Sequence, residues 1–211
     1  MVICYFSQIS EQWTEAKLSE LLHALPESLR IEAGRKKFWS DRQLTVAGKL
    51  MLKEVIGYFG MQQLSLPDLK YTEYHRPYFN AAFDFNIAHS ENYVICCGTD
   101  IGKIGVDIEE IKPISLDDYT NHFTTNEWQI IRSSGDEITS FFEFWTRKEA
   151  IIKAIGTGVY TPLSSIDVAQ DKVIYNKTTY HIQKLHITAG YQCHLACTES
   201  TGGIACFQHN F

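Results

Sequence analysis

What this chain lacks narrows it before any motif does. No apolar run approaches the roughly 20 residues that a membrane-spanning helix needs. The six cysteines (Cys4, Cys96, Cys97, Cys193, Cys197 and Cys206) include no Cys-x-x-Cys pair, and no His–Cys cluster has zinc spacing. They read as small thiols in a reducing cytoplasm. The phosphate loop Gly-x-x-x-x-Gly-Lys is missing, and so is the Gly-x-Ser-x-Gly elbow of serine hydrolases. The opening Met1–Phe6 has neither a basic segment nor a long apolar one, so it reads as a first strand and not as a secretory leader.

What is present fits a folded enzyme-sized chain. At 211 residues it suits one large domain or two halves of roughly 100 residues. With 45% hydrophobic residues it can bury a core, and a net charge of −6 excludes a general nucleic-acid binder. Charge is unevenly spread. Between Ser28 and Val55 seven bases face three acids, and between Asp107 and Glu149 ten acids face four bases. These are two solvated helix faces, or a basic stretch for an anionic ligand followed by an acidic one for a cation.

Periodicity predicts a strand over 1–9, an amphipathic helix from Glu11 to Leu25, a new helical turn from Pro26, and a long helix over 41–60. Strands follow at 83–90, 93–98 and 103–109, the last two joined by a hairpin turn at Asp100–Gly102. Short helices cover 116–123 and 125–133, with Thr125 as N-cap, and a strong helix over 138–155 stops at Gly156. Antiparallel strands over 173–207 complete an α+β chain.

Three carboxylates stand where structure alone prefers apolar residues. Asp107 and Glu109 are two apart on a strand and share one face, while Ile104, Val106 and Ile108 take the other. Glu149 lies in a helical stripe with Phe142, Trp145 and Ile152. An acid there needs a partner. Either Lys153, at i+4, pairs with it, or the helix brings it beside Asp107 and Glu109 around a shared cation. An all-oxygen set favours Mg²⁺, or Mn²⁺, over zinc, and open positions on such an ion suit a diphosphate. Lys148 and Lys153 flank Glu149, and His89 and Arg76 offer further phosphate anchors.

In order and spacing, Phe85-Asn86-Ile87-Ala88-His89-Ser90, Ile104-Gly105-Val106-Asp107-Ile108-Glu109 and Phe144-Trp145-Thr146-Arg147-Lys148-Glu149-Ala150-Ile151-Ile152-Lys153 resemble the 4'-phosphopantetheinyl transferases of the surfactin-synthetase-activating type. The basic helix Arg30–Leu52 and the loop Tyr74–Pro77 extend the resemblance over most of the chain. It implies two similar α/β subdomains, 1–103 and 104–211, related by a pseudo-twofold with the site in the cleft between them. It implies transfer of the 4'-phosphopantetheine arm of coenzyme A to a serine of an apo acyl or peptidyl carrier protein, leaving adenosine 3',5'-bisphosphate. Asp107, Glu109 and Glu149 would be the metal ligands. Glu149 would take the serine proton, directly or through a water on the metal, with Lys153 beside it. Arg42, Arg76, His89, Ser90, Lys148 and Lys153 would attend the coenzyme. One chain supplies both sides of such a cleft, which favours a cytoplasmic monomer with no nucleic-acid or membrane partner. Three positions depart from the family pattern: Leu44 stands where an arginine precedes the helix glycine Gly48, Arg76 stands for a lysine, and Ala88 for a serine. Two rivals remain: another Mg²⁺-dependent phosphotransferase, and a non-catalytic carrier-binding module of the same fold.

Overall fold

Two four-stranded sheets face one another in the computed structural model, which describes all 211 residues. The first half runs β1 (Val2–Gln8), α1 (Glu15–His23), α2 (Glu27–Gly34), α3 (Trp39–Tyr58), a two-residue pair β2 (Lys70–Tyr71) and β3 (Pro77–Tyr78), then β4 (Asp84–Ser90) and β5 (Tyr93–Thr99). The second runs β6 (Ile104–Glu110), α4 (Thr125–Ser133), α5 (Glu137–Ile155), β7 (Lys172–Tyr175), β8 (Thr178–Lys184), β9 (Tyr191–Cys197) and β10 (Ile204–Gln208). The strand orders are β10-β1-β5-β4 and β6-β9-β8-β7.

Each sheet is backed by a long helix. Leu44, Ala47, Met51 and Val55 of α3 pack on Phe85, Val94 and Cys96 of the first sheet. Phe141, Phe142, Ile151 and Ile152 of α5 pack with Ile182 and Ala196 of the second. Between the sheets, Val2, Cys4, Ile95 and Cys97 meet Ile104, Val106, Ile108 and Leu195. The period-two reading of Ile104, Val106 and Ile108 is therefore met by a buried inter-sheet core.

Several expectations change. Asp100–Gly102 does not close a hairpin, because β5 pairs with β1 and β4 while β6 pairs with β9 in the other sheet. The last strand, β10, lies parallel to β1, so residues of the C-terminal half complete the N-terminal sheet across the 103/104 division. Alternation marks a strand but carries no information on which edge it joins. The N-cap of α4 is Thr124, not Thr125; its hydroxyl accepts from Glu127 N while Glu127 returns a bond to Thr124 N, a capping box. The first helix is shorter than 11–25 and begins after Thr14, and Gln43 of α3 ties down the segment before it through Trp13 N and Glu11 O. Gly156, at φ +85°, ends α5 as expected, the left-handed conformation being the one glycine adopts without strain.

The two halves are joined along β4 and β6 by side chains in place of a backbone ladder. Ile104 N donates to Asp84 Oδ2 (2.8 Å), Val106 N to Asn86 Oδ1 (3.0 Å) and Glu110 N to Ser90 Oγ (3.1 Å). Three alternate residues of β4, Asp84, Asn86 and Ser90, thus satisfy backbone donors of β6, which a buried interface requires. Ala88 occupies the remaining position and has no oxygen to offer.

Candidate active site

The register of β6 decides the site. With Ile104, Val106 and Ile108 turned to the inter-sheet core, Gly105, Asp107 and Glu109 turn toward α5. Strand and helix backbones touch at Gly105, where an added Cβ would lie 2.1 Å from Ala150 O. That approach sets Asp107 and Glu109 against Glu149 and Lys153 of the last turns of α5.

Lys153 Nζ donates to Asp107 Oδ1 at 2.6 Å, and Ser90 Oγ donates to Glu109 Oε2 at 2.8 Å. The simple Glu149–Lys153 pair expected from i,i+4 spacing does not form; the lysine reaches across to the strand. Asp107 is buried, and its Oδ2 has no hydrogen-bond partner. Burial raises its pKa, against the pull of Lys153 and Ile108 N. Burial, and then Asp107, push Glu109 up to about 7, against Ser90 and Lys153. Glu149 is raised by burial and by Asp107, with Lys153 opposing. Desolvation pulls Lys153 down, but Asp107, Glu149 and Glu109 outweigh it and hold it above the ordinary lysine value. Three acids share one lysine, and added positive charge would stabilise all of them.

As they stand, the carboxylates do not close into a cage of three that could hold a metal ion. Lys153 occupies one oxygen of Asp107, and Ser90 holds Glu109. The orphaned Asp107 Oδ2 and the all-oxygen donor set nevertheless fit a hard divalent cation better than any protein donor nearby.

His89 points from the opposite face of β4, toward the basic segment before α3. Its pKa is lowered by desolvation and then by Lys153 and Lys36, with Asp41 opposing. Lys36 was counted in the basic stretch but not singled out by the sequence; folding places its charge beside His89. Arg42 donates to Lys36 O at 3.4 Å and so braces this loop.

Three expected coenzyme contacts are committed elsewhere. Lys148 is fully buried, paired with the equally buried Glu127 at 2.7 Å, and it donates to Leu163 O and Ile166 O. It lies 100° around the helix from Glu149 and faces the core, not the cleft. The stripe Phe141, Phe144, Lys148 and Ile151 carried that signal in the sequence. Arg76 makes a bidentate bond to buried Asp84 (2.8 and 2.7 Å) and donates to Lys153 O and Ile104 O. Its guanidinium clamps the loop, β6 and the end of α5 together, leaving little for a phosphate. Ser90, between Glu109 and Glu110 N, is likewise a positioning group.

Glu149 and Lys153 open on a cavity of about 480 Å³ that Asn121, His122, Ile152, Gly158, Val159 and residues 161–164 help to line.

Comparison with known proteins gives the family. Residues 103–202 match the model of the 4'-phosphopantetheinyl transferase superfamily. The chain is 33% identical over 165 residues to 4'-phosphopantetheinyl transferase gsp of Aneurinibacillus migulanus, covering 72% of this chain and 68% of the relative. It is 36% identical over 134 residues to 4'-phosphopantetheinyl transferase Sfp of Bacillus subtilis (61% and 58% covered), and 30% identical over 165 residues to HetI of Nostoc (74% and 69%). Matched across more than two thirds of the gsp and HetI relatives, the chain belongs to the 4'-phosphopantetheinyl transferase superfamily and is an enzyme of it.

Proposed function

We propose that this chain moves the 4'-phosphopantetheine arm of coenzyme A onto a serine of an apo acyl or peptidyl carrier protein, with adenosine 3',5'-bisphosphate as the leaving product. The observation that carries the reading is the meeting of Asp107, Glu109, Glu149 and Lys153 at the β6–α5 contact, with His89 and Lys36 on the neighbouring face.

Asp107, Glu109 and Glu149 would hold Mg²⁺, or Mn²⁺. When bound, the cation neutralises the diphosphate of coenzyme A. Lys153 adds a second positive charge beside it. Glu149, which opens on the cleft, takes the proton of the attacking serine hydroxyl. His89 and Lys36 receive the 3'-phosphate. Ser90 and Arg76 act through others: one fixes Glu109, and the other fixes the backbone at Lys153. One chain supplies both sides of the cleft, so a monomer suffices. No helix is long and apolar enough to cross a membrane, and we assign the protein to the cytoplasm, where coenzyme A and apo carriers meet.

The test is intact-mass analysis of apo acyl and peptidyl carriers incubated with the protein, coenzyme A and Mg²⁺. We expect a gain of one phosphopantetheine that EDTA prevents and Asp107→Ala abolishes. No gain on any carrier overturns the function, and full activity of Asp107→Ala removes the metal assignment.

A further inference from the structure

The two most exposed large apolar side chains are neighbours in the chain. Val159 and Tyr160 are 95% and 74% exposed, and the Tyr160 ring stands 5.1 Å from that of Tyr74, itself 40% exposed. Val159 and Tyr160 belong to the turn Gly158–Tyr160 that follows α5, and Tyr74 to the loop before β3. Their contact spans the two halves over the helix end that bears Glu149 and Lys153. Val159 stands at the lip of the cavity onto which those two residues open.

The turn is built to present these side chains. Gly156 and Gly158 both have positive φ and reverse the chain. Tyr160 N donates to Thr157 O, Thr161 N donates to Gly158 O, and the hydroxyls of Thr157 and Thr161 share a hydrogen bond. Lys148 anchors the next segment through Leu163 O and Ile166 O. An ordered turn that holds a valine and a tyrosine out in water, joined to a second tyrosine, is unfavourable for a free surface, and tyrosine is among the residues that dominate binding hot spots.

We propose that the Tyr74–Val159–Tyr160 rim is the surface on which the carrier protein docks, gripping apolar side chains beside its acceptor serine. This rests on the transferase reading above. The occupant follows from position and chemistry. A protein that delivers a serine to Glu149 must lie across this lip. The coenzyme phosphates need cationic groups, and none of the three rim residues carries charge.

The test varies carrier concentration at saturating coenzyme A for the wild type, Tyr160→Ser and Val159→Ser/Tyr160→Ser, with coenzyme A affinity measured by calorimetry and mass by light scattering. These side chains are exposed, so the variants should keep the wild-type melting temperature. We expect the KM for carrier to rise about tenfold or more in the double variant, the loss of roughly 1.4 kcal/mol that a hot-spot pair carries, with coenzyme A affinity unchanged. An unchanged carrier KM overturns the rim. So does a parallel loss of coenzyme A affinity, which would give the rim to the coenzyme. So does a wild-type dimer that the double variant dissolves, which would give it to a second copy. A wild type that modifies no carrier sinks the transferase reading together with this one; a working wild type with an unaffected variant sinks the rim alone.

Discussion

Adding one methyl group at Gly105 should disable the site without touching any charged residue. The new Cβ would lie 2.1 Å from Ala150 O, 2.4 Å from Ala154 N and 3.0 Å from Lys153 C. All three atoms are α5 backbone, so no rotamer change relieves the clash. To regain ordinary contact, strand and helix must part by more than about 1 Å, since non-bonded heavy atoms prefer separations of ~3.5 Å. That parting draws Asp107 and Glu109 away from Glu149 and Lys153. Overpacking of this kind costs about 1–3 kcal/mol, and a misplacement of about 1 Å at reacting groups costs on the order of 100-fold in rate. We therefore expect Gly105→Ala to lower kcat about 100-fold in the carrier mass-shift assay and to lower unfolding free energy in urea by about 1–3 kcal/mol. Gly57→Ala is the control. Gly57 lies inside α3 with no atom within 4 Å of the added Cβ, so that change should be neutral or stabilise by about 0.5–1 kcal/mol. Wild-type turnover and stability in Gly105→Ala would refute the claim that backbone contact at this point sets the acidic cluster.

Further outcomes follow from buried groups. Lys148→Met strands the Glu127 carboxylate and should cost about 3–5 kcal/mol, while Glu127→Gln/Lys148→Met should recover most of it; urea midpoints decide, and if coenzyme A affinity falls in the folded double variant, Lys148 contacts phosphate after all. Arg76→Lys keeps the charge but loses the fork to Asp84, so it should cost about 1.5–3 kcal/mol of stability while coenzyme A affinity by calorimetry stays near wild type. His194 is buried against Thr146, with Nε2 unpartnered, and its pKa is lowered to about 3 by burial first and then by Arg147. The unfolded chain binds a proton near pH 6.5 that the folded one refuses, so stability is lost as pH falls through that value. Between pH 7 and pH 5 this group alone should remove about 2 kcal/mol, and His194→Leu should flatten the pH dependence of chemical denaturation over that range.

Much of the site was legible before folding because its signals are local. A two-residue spacing on a strand puts Asp107 and Glu109 on one face, and the apolar partners at 104, 106 and 108 say which face is free. Helical spacing marked Glu149 as an acid out of place. Lys148 follows the stripe of Phe141, Phe144 and Ile151, so its burial was visible in the same helix that exposed Glu149 to the cleft. Other roles had no local signal. The partners of Arg76 lie at Asp84, Ile104 and Lys153, and the last is 77 residues away.

Sequence alone determined the family, the α+β class, the two long helices and the residue types at the cleft, since each rests on composition or on a period of 2 or 3.6 residues. Only the tertiary structure decided which strand joins which sheet, that β10 crosses to pair with β1, and that Lys153 meets Asp107 before Glu149. It also decided which cations stay free and which are spent as clamps. Those outcomes depend on burial and on contacts between distant segments. A charged side chain taken out of water must be satisfied by whatever the fold brings within reach.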